Sequence, residues 1–355
     1  MGLLRVMLPF EGGSSLGKPP VGIVSIGVYV PKGFHTSEDI ARESGIPREI
    51  VEEKMGIRRK VMPYSEKDHP ISMGVEASRV ALERGNVDPE TVDLVIWAGE
   101  EYKEHPMITA GIKLQHEVGA RNAWAFDISQ RCGTMIVGLK LAKDMMIAND
   151  DVNTVIVAAG YRNCDLINYR NHRTRFMFNL AAGGAAVILK KNHPRNHVLE
   201  AAFISDGSFA DDVYVPAGGT VMPASHETLE RGLHYLDVRD PEDMKRRLDA
   251  VSMRNFLKVV RDAVERSGYT VKDIDYLAIL HMKRSAHRYI LEELGLSEDQ
   301  TTYLEEYGHL GQCDQILSLE LGLKEGKIRD GSLVVLVSAG IGYAWDAMAV
   351  RWGPC

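Results

Sequence analysis

Cysteine is scarce in this sequence. Its 355 residues include only Cys132, Cys164, Cys313 and Cys355, and no two of them form a C-x-x-C pair. This spacing indicates neither a disulfide framework nor a zinc ribbon. A hydrophobic content of 45% is enough to build one large core or two ordinary ones. We therefore expect a protein of the reducing cytoplasm that folds without disulfide bonds or a structural metal.

Long hydrophobic runs and an excess of positive charge are also missing. No apolar run approaches the roughly 18 residues that a membrane-spanning helix requires, and the N-terminal residues lack the basic region and apolar core of a signal peptide. The formal net charge of -7 argues against nucleic-acid binding and favours a small-molecule partner. Residues 1–20 contain a Gly-, Ser- and Pro-rich segment, which predicts a flexible arm.

Strand-like and helix-like segments alternate in the rest of the chain, which predicts an α/β fold. Residues 21–30 alternate in hydrophobicity like a strand, and helical spacing runs from Met73 to Arg84. Residues 91–98 then form a nearly continuous apolar run. Such a run is typical of a strand in a sheet that helices cover on both faces.

Cys132 stands where a short predicted strand, residues 123–127, leads into a predicted helix, residues 134–147. That helix is apolar on nearly every face and must be buried. Cys132 is expected at its first turn, where unpaired N–H groups and the helix dipole stabilise a thiolate, so it is a candidate nucleophile. The alternative is that Cys132 is a small buried hydrophobic residue, as most free cysteines are.

An internal repeat indicates that the fold is duplicated. Residues 81–96 align without gaps on residues 263–278, at an offset of 182. Residues 154–160 align on residues 334–340, at an offset of 180. Because the two offsets nearly agree, we interpret the matches as a duplication and not as a chance recurrence of helix, loop and strand.

A polar segment, residues 190–197, marks the boundary between the halves. We expect an N-terminal half over residues 21–192, which carries the cysteine, and a C-terminal half over residues 193–355, which carries two histidines. A paired fold brings the carboxyl ends of both sets of strands together, and ligands bind beyond such ends in open α/β sheets.

Polar residues follow the corresponding strands of the two halves. Glu100 comes just after the first-half strand, and His281 takes the matching place in the second half. With an offset of about 181, Cys132 corresponds to Cys313, and the loop before Cys313 contains His309. We therefore expect Cys132, His281, His309 and Glu100 to line one cleft.

Three short blocks resemble the active-site blocks of β-ketoacyl-acyl-carrier-protein synthase III, a family of the thiolase superfamily. They are Phe126 to Cys132, Leu280-His281 and Tyr307-Gly-His309. Further matching segments are residues 28–31, 54–58, 183–187, 342–345 and 351–352. The resemblance covers about residues 21 to 352, and it implies a five-layered αβαβα fold, two halves related by a pseudo-twofold axis, and a homodimer.

The resemblance also implies the chemistry of an acyltransferase of fatty acid biosynthesis. A thiolate at Cys132 takes an acyl group from an acyl-CoA, and a malonyl-type thioester then supplies the carbanion that attacks it. His281 and His309 would hold the enolate. Backbone N–H groups of Cys132 and of the turn Ile341-Gly342 would hold the oxyanion. We expect thioesters of coenzyme A or phosphopantetheine as substrates, acyl carrier protein as a candidate partner, and no resident cofactor or metal.

Three positions depart from the family pattern. The family usually has asparagine where this chain has His309, so the set Cys-His-His is similar to that of the elongating ketosynthases. Arg131 replaces a small residue; its charge could favour the thiolate, meet a carboxylate on the acyl group, or pair with a neighbouring acid. Ile50 stands where bacterial members often have a tryptophan that stacks on adenine.

Glu100 leaves a second mechanism open. It resembles the glutamate of hydroxymethylglutaryl-CoA synthases, which condense without decarboxylation and need a carboxylate to manage the proton of the donor methyl group. Glu100 could instead belong to a solvated charged loop, residues 100–104.

Basic residues could bind the phosphates of coenzyme A or an acidic carrier protein. The candidates are Arg58, Arg59, Arg173, Lys283, Arg284 and Arg288. Three other readings stay open: a metal site, a non-catalytic partner subunit, and acyl transfer to an oxygen or nitrogen acceptor. The metal site would use His281, His287, His309 and Cys313, whose order lacks a recognised ligand spacing.

Overall fold

The computed structural model describes residues 18–355. Residues 1–17 of the flexible arm expected from the sequence lie outside the described residues. Among residues 18–355, no helix combines the length and the apolar character needed to cross a membrane.

The described chain alternates strands and helices, as the sequence predicts. The strands are β1 (Val21–Tyr29), β2 (Gly33–Thr36), β3 (Arg59–Met62), β4 (Leu94–Ala98), β5 (Trp124–Ile128), β6 (Thr154–Tyr161), β7 (Gly183–Lys191), β8 (Arg195–Ser205), β9 (Val213–Tyr214), β10 (Asp237–Val238), β11 (Tyr276–Ile279), β12 (Leu333–Gly340) and β13 (Ala344–Pro354). The helices are α1 (Ser37–Ser44), α2 (Pro70–Gly85), α3 (Ala110–Glu117), α4 (Thr134–Ala148), α5 (His226–Glu230), α6 (Pro241–Arg266), α7 (Arg284–Leu294) and α8 (Asp314–Lys324).

Nine strands form one sheet in the order β11-β12-β13-β8-β1-β7-β6-β4-β5. Strands β4, β5 and β6 run parallel, and so do β11 and β12, so their carboxyl ends point the same way within each group. The two groups of strands meet where β1 pairs with β8, at Gly22 and His197. The expected division of the chain at residue 192 falls in the turn between β7 and β8 and stays a prediction.

Helices complete five layers around these strands. Helices α4 and α8 contact strands of both groups and form the central layer, while α2 and α3 cover one group on its outer face and α6 covers the other. Helix α4 can occupy the centre because its side chains are apolar on nearly all sides. The αβαβα fold predicted from the sequence is confirmed.

The duplication is visible in the turns that precede the two central helices. Single 3₁₀ turns, residues 131–133 and 311–313, lead into α4 and α8. Arg131 and Gly311 both have a left-handed backbone, with φ of +54° and +58°, so the two turns match at an offset of 180. Cys132 therefore corresponds to Gln312, and the expected match with Cys313 is wrong by one residue.

Candidate active site

Cys132 lies in the 3₁₀ turn immediately before α4. The sequence predicts it in the first turn of the helix itself. Its side chain is buried, with 6% exposed. The Ser338 hydroxyl donates to the Cys132 carbonyl oxygen at 2.7 Å. A Cβ added at Gly340 would lie 3.2 Å from the Cys132 nitrogen, so β12 packs tightly against this turn. The second half of the chain thus holds the candidate nucleophile in place.

His309 contacts Cys132, as the sequence predicts. Its Nε2 lies 3.1 Å from the Cys132 Sγ, and its Nδ1 lies 2.5 Å from Oδ2 of Asp314. All three side chains are buried. Cysteine, histidine and aspartate therefore form a linear relay, in which the carboxylate orients the imidazole and the imidazole faces the sulfur.

Asp314 is the functional residue that the sequence analysis missed. It is fully buried at the first position of α8. Its Oδ2 also accepts from the backbone N–H of His281 at 2.8 Å, and its Oδ1 accepts from the N–H of Leu310 at 2.7 Å. Both carboxylate oxygens are therefore fixed, and with them the ring of His309. The available signal was an acid five residues after His309 at a predicted helix start.

The relay couples the pKa values of its members. Burial by itself lowers the pKa of His309, but the charges of Asp314 and Cys132 outweigh it and raise this pKa well above its ordinary value. Burial raises the pKa of the Cys132 thiol, and His309 opposes that rise. His309 is thus the neighbour that favours the thiolate, and the contribution of the helix N-terminus stays a prediction.

His281 lies beside the relay and makes no hydrogen bond to the sulfur. Its Nε2 donates to the Gly56 carbonyl oxygen at 3.0 Å, and its Nδ1 accepts from the Asn179 amide at 2.9 Å. Burial lowers the pKa of His281 to about 4, so the ring is neutral near pH 7. Because both ring nitrogens are occupied, a hydrogen bond from this ring to an enolate requires the ring to turn, and that role stays a prediction.

Glu100 lies inside the protein, so the solvated-loop alternative is wrong for this residue. Its side chain is only 5% exposed, whereas that of the next residue, Glu101, is 68% exposed. Oε2 of Glu100 accepts from the Asn163 amide at 2.8 Å. Burial raises the pKa of Glu100, with Arg131 acting in the opposite direction. A buried carboxyl group with a raised pKa is a candidate for proton transfer.

Arg131 faces the acidic residues before it in the chain. Its Nη1 pairs with Glu101 and lies 3.8 Å from Oε2 of Glu100. Of the three roles considered for this residue, the structure thus shows the pairing with a neighbouring acid. The backbone at Arg131 is left-handed, which its counterpart Gly311 adopts without a steric cost.

The turn Ile341-Gly342 follows β12 directly. Gly342 has a φ of +116°, and a Cβ added there would meet no atom within 4 Å, so the turn borders open space. Within residues 18–355, neither of the two amides donates to another part of the backbone. Their role as oxyanion donors, together with the Cys132 N–H, stays a prediction.

Three of the six basic candidates converge on one cavity of about 410 Å³. It is lined by Glu52, Glu53, Arg58, Arg284, Arg288 and Glu305. The other three lie elsewhere. Arg59 pairs with Glu306 at 2.9 Å, Arg173 pairs with Asp237 at 3.1 Å, and Lys283 is exposed just before α7. Arg58, Arg284 and Arg288 are therefore the candidates that lie together, and phosphate binding by any of the six stays a prediction.

Each of the four side chains considered as a metal site already contacts another protein group. The buried ring of His287 packs edge-on against Tyr303, with centroids 5.0 Å apart, and the Cys313 Sγ lies 3.9 Å from the Gly183 carbonyl oxygen. In the described part of the chain, no group of three or more His, Cys, Asp or Glu side chains is placed to hold a metal ion. The geometry thus gives no support to the metal alternative.

Comparison with known proteins identifies relatives along nearly the whole chain. The family model for 3-oxoacyl-[acyl-carrier-protein] synthase III matches residues 126–207, and the model for its C-terminal part matches residues 264–352. The β-ketoacyl-[acyl-carrier-protein] synthase III of Symbiobacterium thermophilum is 32% identical over 336 residues, which cover 94% of this chain and 98% of the relative. That of Caldanaerobacter subterraneus is 30% identical, with the same coverage.

Solved structures show the same fold. The 3-oxoacyl-[acyl-carrier-protein] synthase III from Aquifex aeolicus superposes with a TM-score of 0.80 at 21% identity, covering 94% of this chain and all of that chain. The priming β-ketosynthase of the R1128 polyketide pathway gives a TM-score of 0.81 at 21% identity, covering 95% and 97%.

Proposed function

Because the chain belongs to the 3-oxoacyl-[acyl-carrier-protein] synthase III family, we propose that it joins an acyl-CoA to a malonyl-type thioester on Cys132. It is an acyltransferase that carries out a Claisen condensation through an acyl-cysteine. The observation that supports Cys132 as the carrier is its contact with His309, 3.1 Å from Sγ to Nε2. The reaction needs no cofactor besides its thioester substrates.

We assign the steps as follows. His309 Nε2 takes the proton of the Cys132 thiol, and the sulfur attacks the thioester carbonyl. Coenzyme A leaves as a thiolate that takes a proton from solvent, the acyl group stays on Sγ, and His309 keeps its proton as an imidazolium beside Asp314. The malonyl-type thioester then loses carbon dioxide, its carbanion attacks the acyl carbon, and Cys132 leaves as a thiolate. Asp314 positions His309 throughout, and the N–H groups of Cys132 and Gly342 receive the developing oxyanion.

The fixed geometry of His309 supports a role in both half-reactions. Asp314 keeps its Nε2 directed at the sulfur, so the protonated ring is also placed to donate to an enolate that forms there. An asparagine at this position can donate such a bond but cannot take the proton of the thiol. We therefore propose that His309 acts first as a base and then as a hydrogen-bond donor.

The carriers of the substrates and the assembly state complete the proposal. Acyl carrier protein is proposed as the carrier of the malonyl group, in line with the names of the relatives. A homodimer is proposed on the position of β5, which forms an edge of the sheet and leaves Trp124 51% exposed.

Glu100 favours one competing mechanism, condensation without decarboxylation. In that reaction a base must remove a proton from the methyl group of acetyl-CoA, and a buried carboxyl near Cys132 could do so. In the decarboxylating reaction the carbanion arises by loss of carbon dioxide, and no base is needed at that step.

The Glu100→Gln variant separates the two mechanisms. We expect carbon dioxide release from a carboxyl-labelled malonyl thioester, and we expect the variant to change this rate by less than about tenfold. Removal of a true general base costs about 10² to 10⁴-fold. Glu101→Gln, at the exposed neighbour, is the matched control. Retention of acetyl-CoA label at the condensing carbon, lost in Glu100→Gln alone, would replace the decarboxylating proposal with the alternative.

A further inference from the structure

The charges of the arginine-lined cavity balance one another. Its lining contributes three guanidinium groups and three carboxylates. The cavity lies where the π-helical segment Ile50–Lys54 meets the start of α7 and the loop that leads to His309. Phosphate groups bind best where positive charge is uncompensated. The carboxylate closest to the arginines is therefore expected to limit binding.

Glu305 provides that carboxylate. Its Oε1 lies 3.2 Å from Nη2 of Arg58, and its Oε2 accepts from Nη2 of Arg284. The Arg284 guanidinium also stacks over the ring of Tyr303, 4.3 Å from its centroid. Tyr303 in turn donates to the Met282 carbonyl oxygen at 2.7 Å, so this guanidinium has a fixed support. Glu305 thus occupies donors that a phosphate oxygen would use.

The backbone holds Glu305 in this position. Its carbonyl oxygen accepts from the N–H groups of Arg58 and Arg59, at 2.9 and 3.1 Å. The Glu305 side chain is 26% exposed, and it pairs with both Arg58 and Arg284. An incoming phosphate must therefore displace the carboxylate while Glu305 stays tied to β3.

We propose that Glu305 is a specificity-determining residue that competes with the phosphate groups of coenzyme A for Arg58 and Arg284. It thereby weakens the binding of free coenzyme A thioesters. This inference rests on the proposed function, in which an acyl-CoA is a substrate, and it adds that the cavity receives the phosphates of that substrate. The other two carboxylates act less directly. Glu52 accepts from Arg48 Nε at 2.9 Å, and the side chain of Glu53 is exposed.

The Glu305→Gln variant tests the competition with desulfo-coenzyme A, which carries the phosphates but has no thiol. Titration calorimetry at low ionic strength gives the Kd. Glutamine keeps the shape of the side chain and removes its charge, so we expect a Kd about fivefold lower than that of the natural chain, since two partly exposed ion pairs no longer have to be broken. The gain should shrink at high salt, because mobile ions screen exposed charges.

Two further variants make the result decisive. Glu227→Gln changes the net charge equally but lies on α5, where it pairs with Arg231 at 3.0 Å. Arg284→Ala removes a guanidinium of the cavity and should raise the Kd. A raised Kd in Arg284→Ala with an unchanged Kd in Glu305→Gln would overturn the competition by Glu305 but would leave the assignment of the cavity to phosphate standing. An unchanged Kd in Arg284→Ala would overturn the assignment of the cavity to phosphate. An equal gain in Glu227→Gln would reduce the effect to net charge.

Discussion

Replacing His309 with asparagine, the residue that the family usually carries there, should slow the acylation of Cys132 by about 10³-fold. Asparagine can still bond to Asp314, but it cannot accept the proton of the thiol. His281 offers no substitute, because its ring nitrogens are bonded to Gly56 and Asn179. A quenched time course with an acyl-CoA, followed by intact-protein mass spectrometry, measures the rate.

The matched control for this prediction is His116→Asn, at an exposed position on α3. It should acylate at the rate of the natural chain. If His309→Asn acylated Cys132 nearly as fast as the natural chain, another group would have to take the proton. The chain would then work like its relatives with asparagine, and the relay would have only a structural role.

Replacing Asp314 with asparagine should lower the acylation rate by about 10³-fold or more, because an amide no longer fixes the tautomer or favours the charged form of the imidazole. Asp314 acts through His309 and does not contact the sulfur, so it is a positioning residue. Thermal melts should accompany the assay, since the buried N–H groups of His281 and Leu310 also depend on this carboxylate.

The pH dependence distinguishes positioning by Asp314 from a merely structural role. The Asp314 carboxylate raises the pKa of His309. The ring therefore stays protonated, as an imidazolium that pairs with a Cys132 thiolate. Without the carboxylate the pKa of His309 falls, the thiolate loses its cation, and the apparent pKa for alkylation of Cys132 should rise. Asp330→Asn, which removes a surface partner of Arg195, is the control. An unchanged alkylation profile in Asp314→Asn would contradict the coupling.

Much of the fold could be predicted because its signals are local. Helix α4 is apolar on nearly all sides, and such a helix has no stable position other than a protein interior. The repeat also predicted matching elements in the two halves. Strand β5 shows the limit of these signals. It was predicted from an apolar segment, yet Trp124 is 51% exposed because the strand lies at an edge of the sheet.

The contact between Cys132 and His309 could be predicted from the ends of duplicated strands, but the third member of the relay could not. An aspartate at a helix start usually caps its own helix, whereas Asp314 accepts from the N–H of Leu310, which lies before the helix. Its second oxygen turns to His309, and only the packing of α8 decides that direction. The hydrogen-bond partners of the His281 ring could not be predicted for the same reason, since Gly56 and Asn179 come from distant segments.

Charged residues near the site were ambiguous in the sequence because burial has no local signature in a short loop. Glu100 and Glu101 are adjacent and chemically identical, yet one is buried and the other exposed. Arg131 had three open roles, and the acids within its reach decided among them. Such choices depend on a few side-chain torsions and not on hydrophobic periodicity.

The position of the acyl group in the natural chain tests the central claim most directly. The protein is incubated with a panel of acyl-CoA thioesters, digested, and analysed by mass spectrometry for the modified peptide. We predict one acyl group on Cys132, removable by hydroxylamine, with Cys164, Cys313 and Cys355 unmodified. An acyl group on one of those cysteines in place of Cys132, or none with any thioester, would contradict the account.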